Sequence, residues 1–144
     1  MPRTLVDTSV LFAAVYRRDG AHDDALPILT GIDTAALPEA VLLDFVLAET
    51  LNGLTTHAGH GAAVDFLDRV EANARFHIAS LTADTFASAK ALFRQYEPFS
   101  FVDAAIVAYM QTEGLEYLYA FDDDFDAATD VYRLTTATNP YRPE

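Results

Sequence analysis

Two hydrophobic periods alternate along this chain. Near the start the short, β-branched run TLV ends in Asp7 and leads into TSVLFAAVYRR, which reads as a strand feeding a helix. Thr8 or Ser9 is placed to cap that helix. AHDDALPILTGI predicts a second helix, disturbed at Pro27, and TAALPE a short strand. AVLLDFVLAETLNGLTTH is apolar enough to predict one long helix, with a break at Gly59 and Gly61. AAVDFLDRVEANA is amphipathic, with Val64, Phe66, Leu67 and Val70 toward the core. RFHIASL predicts a strand. TADTFASAKALFRQYE predicts a helix capped by Thr82 and ended by Pro98. SFVDAAIVAYMQTEG is a further apolar helix, closed by Gly114. LEYLYAF reads as a strand, DDDFDAAT as a loop or helical turn, and VYRLTT as a final strand.

Strands alternating with helices imply an α/β sandwich around a mostly parallel sheet. The 144 residues suit one domain, taken as 1–144. Ligands of such sheets bind at the carboxyl ends of the strands. Asp7 and Asp122 each follow a predicted strand and are expected at that edge.

Several acids interrupt apolar pattern. Glu49 lies one turn from Phe45, Val46 and Gly53, and is expected on an apolar helix face. Asp103 opens a helix that is apolar nearly all round, with Ile106 and Val107 one turn on. Burying an ionised carboxylate costs several kcal/mol unless it is paired. Neither AVLLDFVLAETLNGL nor SFVDAAIVAYM contains a Lys or Arg to pair with. A shared cation resolves the conflict for several carboxylates together. Most of these acids also have a plainer reading: Asp7 as a helix cap, Asp103 as a partner of a helix dipole, most of the run Asp122, Asp123, Asp124, Asp126 and Asp130 as solvated charge; Glu49, mid-helix on an expected apolar face, is harder to dismiss. The informative feature is joint: one acid from each of four separated elements.

Composition narrows the chemistry. With 22 acidic and 9 basic residues the formal net charge is −13, and Lys90 is the single lysine. Such a surface repels nucleic acid unless a local basic patch or a metal intervenes. It suits a cytoplasm of very high salt, where screening is short-ranged, and a halophilic source is expected. The absence of cysteine excludes disulfides, thiolate zinc sites and a cysteine nucleophile. The first apolar stretch is too short to span a bilayer and is interrupted by an acid, so a cytoplasmic protein with no membrane partner is expected. His57 and His60 flank Gly59 in a predicted loop without a further ligand nearby, and His22 and His77 stand alone. No nucleophile elbow and no phosphate-cradling glycine loop is present.

The segments LVDTSVLFA, VLAETLNGL, FSFVDAAIVA and YAFDDDF, in that order, resemble the PIN-domain family, in particular the VapC-type toxins of toxin–antitoxin pairs. The resemblance covers nearly the whole chain. It implies a PIN-like α/β/α sandwich and an acidic quartet, Asp7, Glu49, Asp103 and Asp122, holding divalent metal, with Asp124 or Asp126 as an additional carboxylate and Ser9 hydrogen-bonding the site. The family often carries Thr or Ser where this chain has Ala120, which removes one hydroxyl near the site. Hard oxygen ligands suit Mg²⁺ or Mn²⁺. The implied activity is endonucleolytic hydrolysis of RNA, with Arg17, Arg18 and Arg94 as candidate phosphate contacts. The implied partners are a VapB-like antitoxin and a second copy in a homodimer. A housekeeping nuclease of the same fold and a catalytically silent interaction module remain the alternatives.

Overall fold

The computed structural model describes residues 2–142. Its elements, in chain order, are β1 (Arg3–Val6), α1 (Thr8–Val15), α2 (His22–Asp33), β2 (Glu39–Leu43), α3 (Asp44–Ala58), α4 (His60–Ala72), β3 (Phe76–Ala79), α5 (Ala83–Gln95), α6 (Phe101–Glu113), β4 (Tyr117–Tyr119) and β5 (Tyr132–Leu134), with a 3₁₀ turn over Asp123–Ala127 before β5. All strand pairings are parallel, in the order β3-β2-β1-β4-β5. The chain therefore moves outward from β1 to β3, then returns to add β4 on the other side of β1. Right-handed crossovers place α1 to α4 on one face and α5 and α6 on the other. The strand order reverses between β1 and β4, and the crevice at that reversal is where open parallel sheets bind ligands.

Several sequence expectations are corrected. TAALPE is not a strand: residues 34–37 form a turn in which Ala35 adopts φ +66°, and β2 begins at Glu39. The predicted long helix gives up AVLL to β2, and α3 starts at Asp44. Val41, Leu42 and Leu43 are all buried, and a short run buried on both sheet faces has no alternation by which to tell it from a helix. Val64 on α4 also points outward, while Ala63, Phe66 and Val70 make the buried stripe. Pro27 lies inside α2 without ending it. Gly59, at φ +98°, takes the left-handed side of the backbone map that separates α3 from α4; Gly61 is already helical.

Helix α6 is deeply buried. Every residue from Asp103 to Ala108 is buried. Burying Ile106, Val107 and Met110 contributes about 1.5–3 kcal/mol each. That sum outweighs the several kcal/mol charged for bringing a carboxylate, Asp103, into the same environment.

Candidate metal-binding active site

Three short elements deliver carboxylates to the crevice between β1 and β4. Asp7 follows β1 directly and caps α1: its Oδ2 accepts Ser9 N–H at 3.2 Å and Ser9 Oγ–H at 2.7 Å. The cap is thus Asp7, not Thr8 or Ser9. Asp7 N–H donates to Tyr119 O at 2.9 Å, which stitches the end of β1 to the end of β4. Ser9 Oγ in turn accepts the Phe121 N–H at 3.1 Å, so one hydroxyl ties Asp7 to the residue before Asp122.

Asp103 stands at the third position of α6 in a capping box: Ser100 Oγ accepts Asp103 N–H at 3.1 Å and Asp103 Oδ2 accepts Ser100 N–H at 3.0 Å. The plainer reading of Asp103 as a helix-start residue therefore holds. Asp122 caps the 3₁₀ turn, accepting Asp124 N–H at 2.9 Å. Fully buried Phe125, 6.3 Å from the Phe99 ring, pins this turn to the core, and the aspartates around it are carried by that anchor.

Oxygens of Asp103, Asp122 and Asp124 all lie within 4.8 Å of one another, the one such group of three among the described residues. Burial is the main reason the Asp103 carboxyl is pushed up to about 6, with the charges of Asp7 and Asp122 adding to it against its bonds from Ser100. Burial likewise raises Asp7, opposed by its bonds from Ser9 and Thr8 and assisted by the charge of Glu49. Asp124 is raised chiefly by the charge of Asp122. The four expected acids are therefore electrostatically joined, but the tight triplet has Asp124 in it and neither Asp7 nor Glu49. Glu49 is exposed, contrary to the expectation of an apolar face: α3 buries Val46, Thr50 and Leu54, and Glu49 falls on the flank of that stripe.

Asp126 takes a different part. Arg133 on β5 grips it with two bonds, Nε to Oδ1 at 3.0 Å and Nη2 to Oδ2 at 3.1 Å, and this partner holds the Asp126 carboxyl below the usual range. In a 3₁₀ turn residues three apart eclipse, so Asp123 and Asp126 share the side facing Arg133 while Asp124 turns elsewhere. Arg133 is a partner of the acidic run that pattern reading missed. The available signal was a lone cation in VYRLTT, the strand that must return beside the acidic run.

The other candidates stand apart. Arg17, Arg18 and Arg94 are exposed and form no ion pair among the described residues. His57 packs its ring against Phe12 and Tyr16, at 5.5 and 5.8 Å, and joins no ligand group with exposed His60. His22 Nδ1 lies 2.7 Å from Ala13 O, and His77 Nε2 2.5 Å from Glu39 Oε1. Ala120 is fully buried; the hydroxyl close to this stretch of backbone comes from Ser9.

The family model of the PIN domain matches residues 4–131. A 23S rRNA-specific endonuclease of Mycobacterium tuberculosis, VapC20, is 35% identical over 126 residues, 85% of this chain and 92% of that protein. The crystal structure of M. tuberculosis VapC20, described as a sarcin–ricin loop cleaving toxin, superposes with a TM-score of 0.76 at 30% identity, over 87% of this chain and 94% of that one. VapBC2 of Rickettsia felis, bound to a promoter DNA fragment, shares the fold at a TM-score of 0.68 and 15% identity, over 92% and 97% of the two chains.

Proposed function

This chain belongs to the PIN-domain family, and from that premise we propose that it is a divalent-metal-dependent endoribonuclease acting as the toxin of a toxin–antitoxin pair. The observation that carries the chemistry is the convergence of Asp103, Asp122 and Asp124 at the switch point of the sheet, with Asp7 beside them. The donor set fits the ion: all-oxygen ligands of high charge suit Mg²⁺ or Mn²⁺, and a buried carboxyl raised to about 6 is a group that a cation would hold ionised. When bound, such an ion supplies Lewis acidity to a phosphate and lowers the pKa of water.

The protein's own residues do the rest. Ser9 fixes one oxygen of Asp7 and, through Phe121, the distance between the two halves of the site. The Ser100 capping box fixes the rotamer of Asp103. Exposed Glu49 adds negative charge at the mouth, beside Asp7. Positive charge bound among these acids is what admits an anionic backbone to a protein of net charge −13.

RNA as the substrate draws support from VapC20, named as an endonuclease specific for 23S rRNA and matched over nearly its whole length. The toxin assignment rests on the same relative, described as a toxin. A homodimer is supported by a cluster of rings beside the site: Phe45, Phe86, Phe93 and Phe101 pack with centroids 5.4–6.2 Å apart, and Phe86 and Phe93 remain 37% and 48% exposed. Light scattering at high salt tests it; a strict monomer across micromolar concentrations rejects it. No helix among the described residues is long and apolar enough to cross a membrane. The catalytically silent alternative is disfavoured by the intact acid group.

The deciding experiment incubates the purified chain with 23S rRNA and with unrelated structured RNA, in Mg²⁺, in Mn²⁺ and in chelator. Discrete cleavage that requires the metal and disappears in Asp103→Asn is expected. Cleavage that persists in chelator would reject the metal reading. Co-expression with an adjacent small gene separates toxin from housekeeping nuclease, since a toxin is expected to co-purify with that gene's product.

A further inference from the structure

The loop that carries Asp122 is held from both sides. On one side Ser9 Oγ accepts the Phe121 N–H at 3.1 Å. On the other, Arg133 Nη1 donates toward Ala120 O and Phe121 O, each at 3.4 Å, while its remaining donors close on Asp126. The Arg133 side chain is only 19% exposed, against 58% for Asp126, so the fork is embedded and the acid reaches out to it. One guanidinium thereby spans the whole acidic stretch, from the carbonyl before Phe121 to the far end of the 3₁₀ turn. Two acids of the ligand triplet, Asp122 and Asp124, lie between those two anchor points.

From this geometry we infer that Arg133 is a positioning residue for the metal site, clamping the 120–126 loop so that Asp122 and Asp124 face Asp103 while Asp126 is held out of the ligand set. The inference rests on the metal reading above and adds a residue to it. A planar fork is required: two donors match the Asp126 carboxylate and a third reaches the carbonyls, a pattern one lysine ammonium cannot reproduce. The opposite electrostatic expectation makes the idea testable. If Arg133 acted simply as a nearby positive charge, its removal would strengthen cation binding. If it acts as a clamp, removal frees the loop, the ligands must be ordered by the ion itself, and cation binding weakens.

The test is Mn²⁺ affinity, measured by calorimetry or by the electron paramagnetic resonance of free Mn²⁺, on wild type, Arg133→Gln, Arg133→Lys and Asp126→Ala, with circular dichroism confirming the fold. Arg133→Gln is expected to weaken Mn²⁺ binding about tenfold, the scale on which outer-shell supports of metal ligands act. Arg133→Lys should weaken it less, and Asp126→Ala least, because the carbonyl bonds persist. Hydrogen exchange at the Phe121 and Asp124 amides should quicken in Arg133→Gln. Unchanged or tighter Mn²⁺ binding by Arg133→Gln overturns the clamp, and tighter binding by that variant together with much weaker binding by Asp126→Ala makes Asp126 a ligand instead. Should Arg133→Gln fail to fold, Arg133→Lys carries the same reading: affinity equal to wild type overturns the clamp. A wild type that binds no Mn²⁺ overturns the metal reading itself, a result distinct from failure of the clamp.

Discussion

The floor and the rim of the acid site are built on opposite terms. The floor, Asp7 and Asp103, is buried, capped into helix starts, and raised in pKa by desolvation. The rim, Glu49 with the acids of the 122–126 turn, is more solvent-accessible; there Asp124 is raised mainly by the charge of Asp122 and Asp126 is lowered by its bonds from Arg133. Charge on the floor is costly without a partner, and under the metal reading a bound cation would supply that partner. Charge on the rim is cheap and adjustable, and acts by direction and screening.

The largest effect should come from the floor. Asp103→Asn or Asp7→Asn keeps shape and an accepting oxygen for the Ser100 or Ser9 bonds, yet removes a charge that the proposed metal would use. RNA cleavage at fixed Mg²⁺ is expected to fall at least about a thousandfold, roughly 4 kcal/mol of transition-state stabilisation. Wild-type rates in either variant would remove the acid from the site.

Next comes the stability of the metal-free protein. Burial pushes the folded Asp103 carboxyl up to about 6, well above the usual carboxylate range. The folded state thus binds this proton more tightly than the unfolded one. Stability from this group is fully present at acid pH, is lost as pH rises from about 4 to about 6, and stays lost above; the change is at most about 3 kcal/mol. Thermal melts in chelator should show Asp103→Asn more stable than wild type at pH 7 and the difference vanishing by pH 4. In saturating Mg²⁺ the order should reverse. A gap independent of pH would mean that the carboxyl is not desolvated as described.

Glu49 gives a smaller, sharper test of the rim. Being exposed and acting on Asp7 through charge, Glu49→Gln is expected to cost about 5- to 30-fold in cleavage, 1–2 kcal/mol, with most of the loss recovered by raising Mg²⁺. A thousandfold loss at saturating metal would move Glu49 to the floor.

The same contrast explains what could be read from the sequence. Asp7, Asp103 and Asp122 were legible because each closes or opens an apolar run, and the parallel sheet followed from the alternation of periods. Glu49 stands out in the sequence on an expectation the fold contradicts: Phe45 and Gly53 make its neighbourhood look apolar, whereas the buried stripe of α3 runs through Val46, Thr50 and Leu54 and leaves Glu49 exposed. The β2 run was misassigned because burial on both faces erases the period that distinguishes strand from helix. Which of Asp123, Asp124 and Asp126 joins the site depends on a 3₁₀ turn and on Arg133 arriving from another strand. Neither is visible in a run of like residues.

Salt should separate the two regions most finely. At about 1 M the screening length falls to about 3 Å, which cancels repulsion between exposed charges but reaches buried ones much less. Metal-free wild type, at net charge −13, is therefore expected to gain stability from 0.1 to 1 M KCl, by an amount of order 1 kcal/mol. Neutralising one exposed acid, Asp123→Asn, should trim that gain because the charge removed is one that salt already screens. Asp103→Asn should leave the gain nearly whole, since its cost is desolvation and salt does not restore solvent. Thermal melts of the three proteins across KCl in chelator measure this. Equal loss of salt response in both variants would show that repulsion, not burial, dominates Asp103, and would merge floor and rim into a single electrostatic surface.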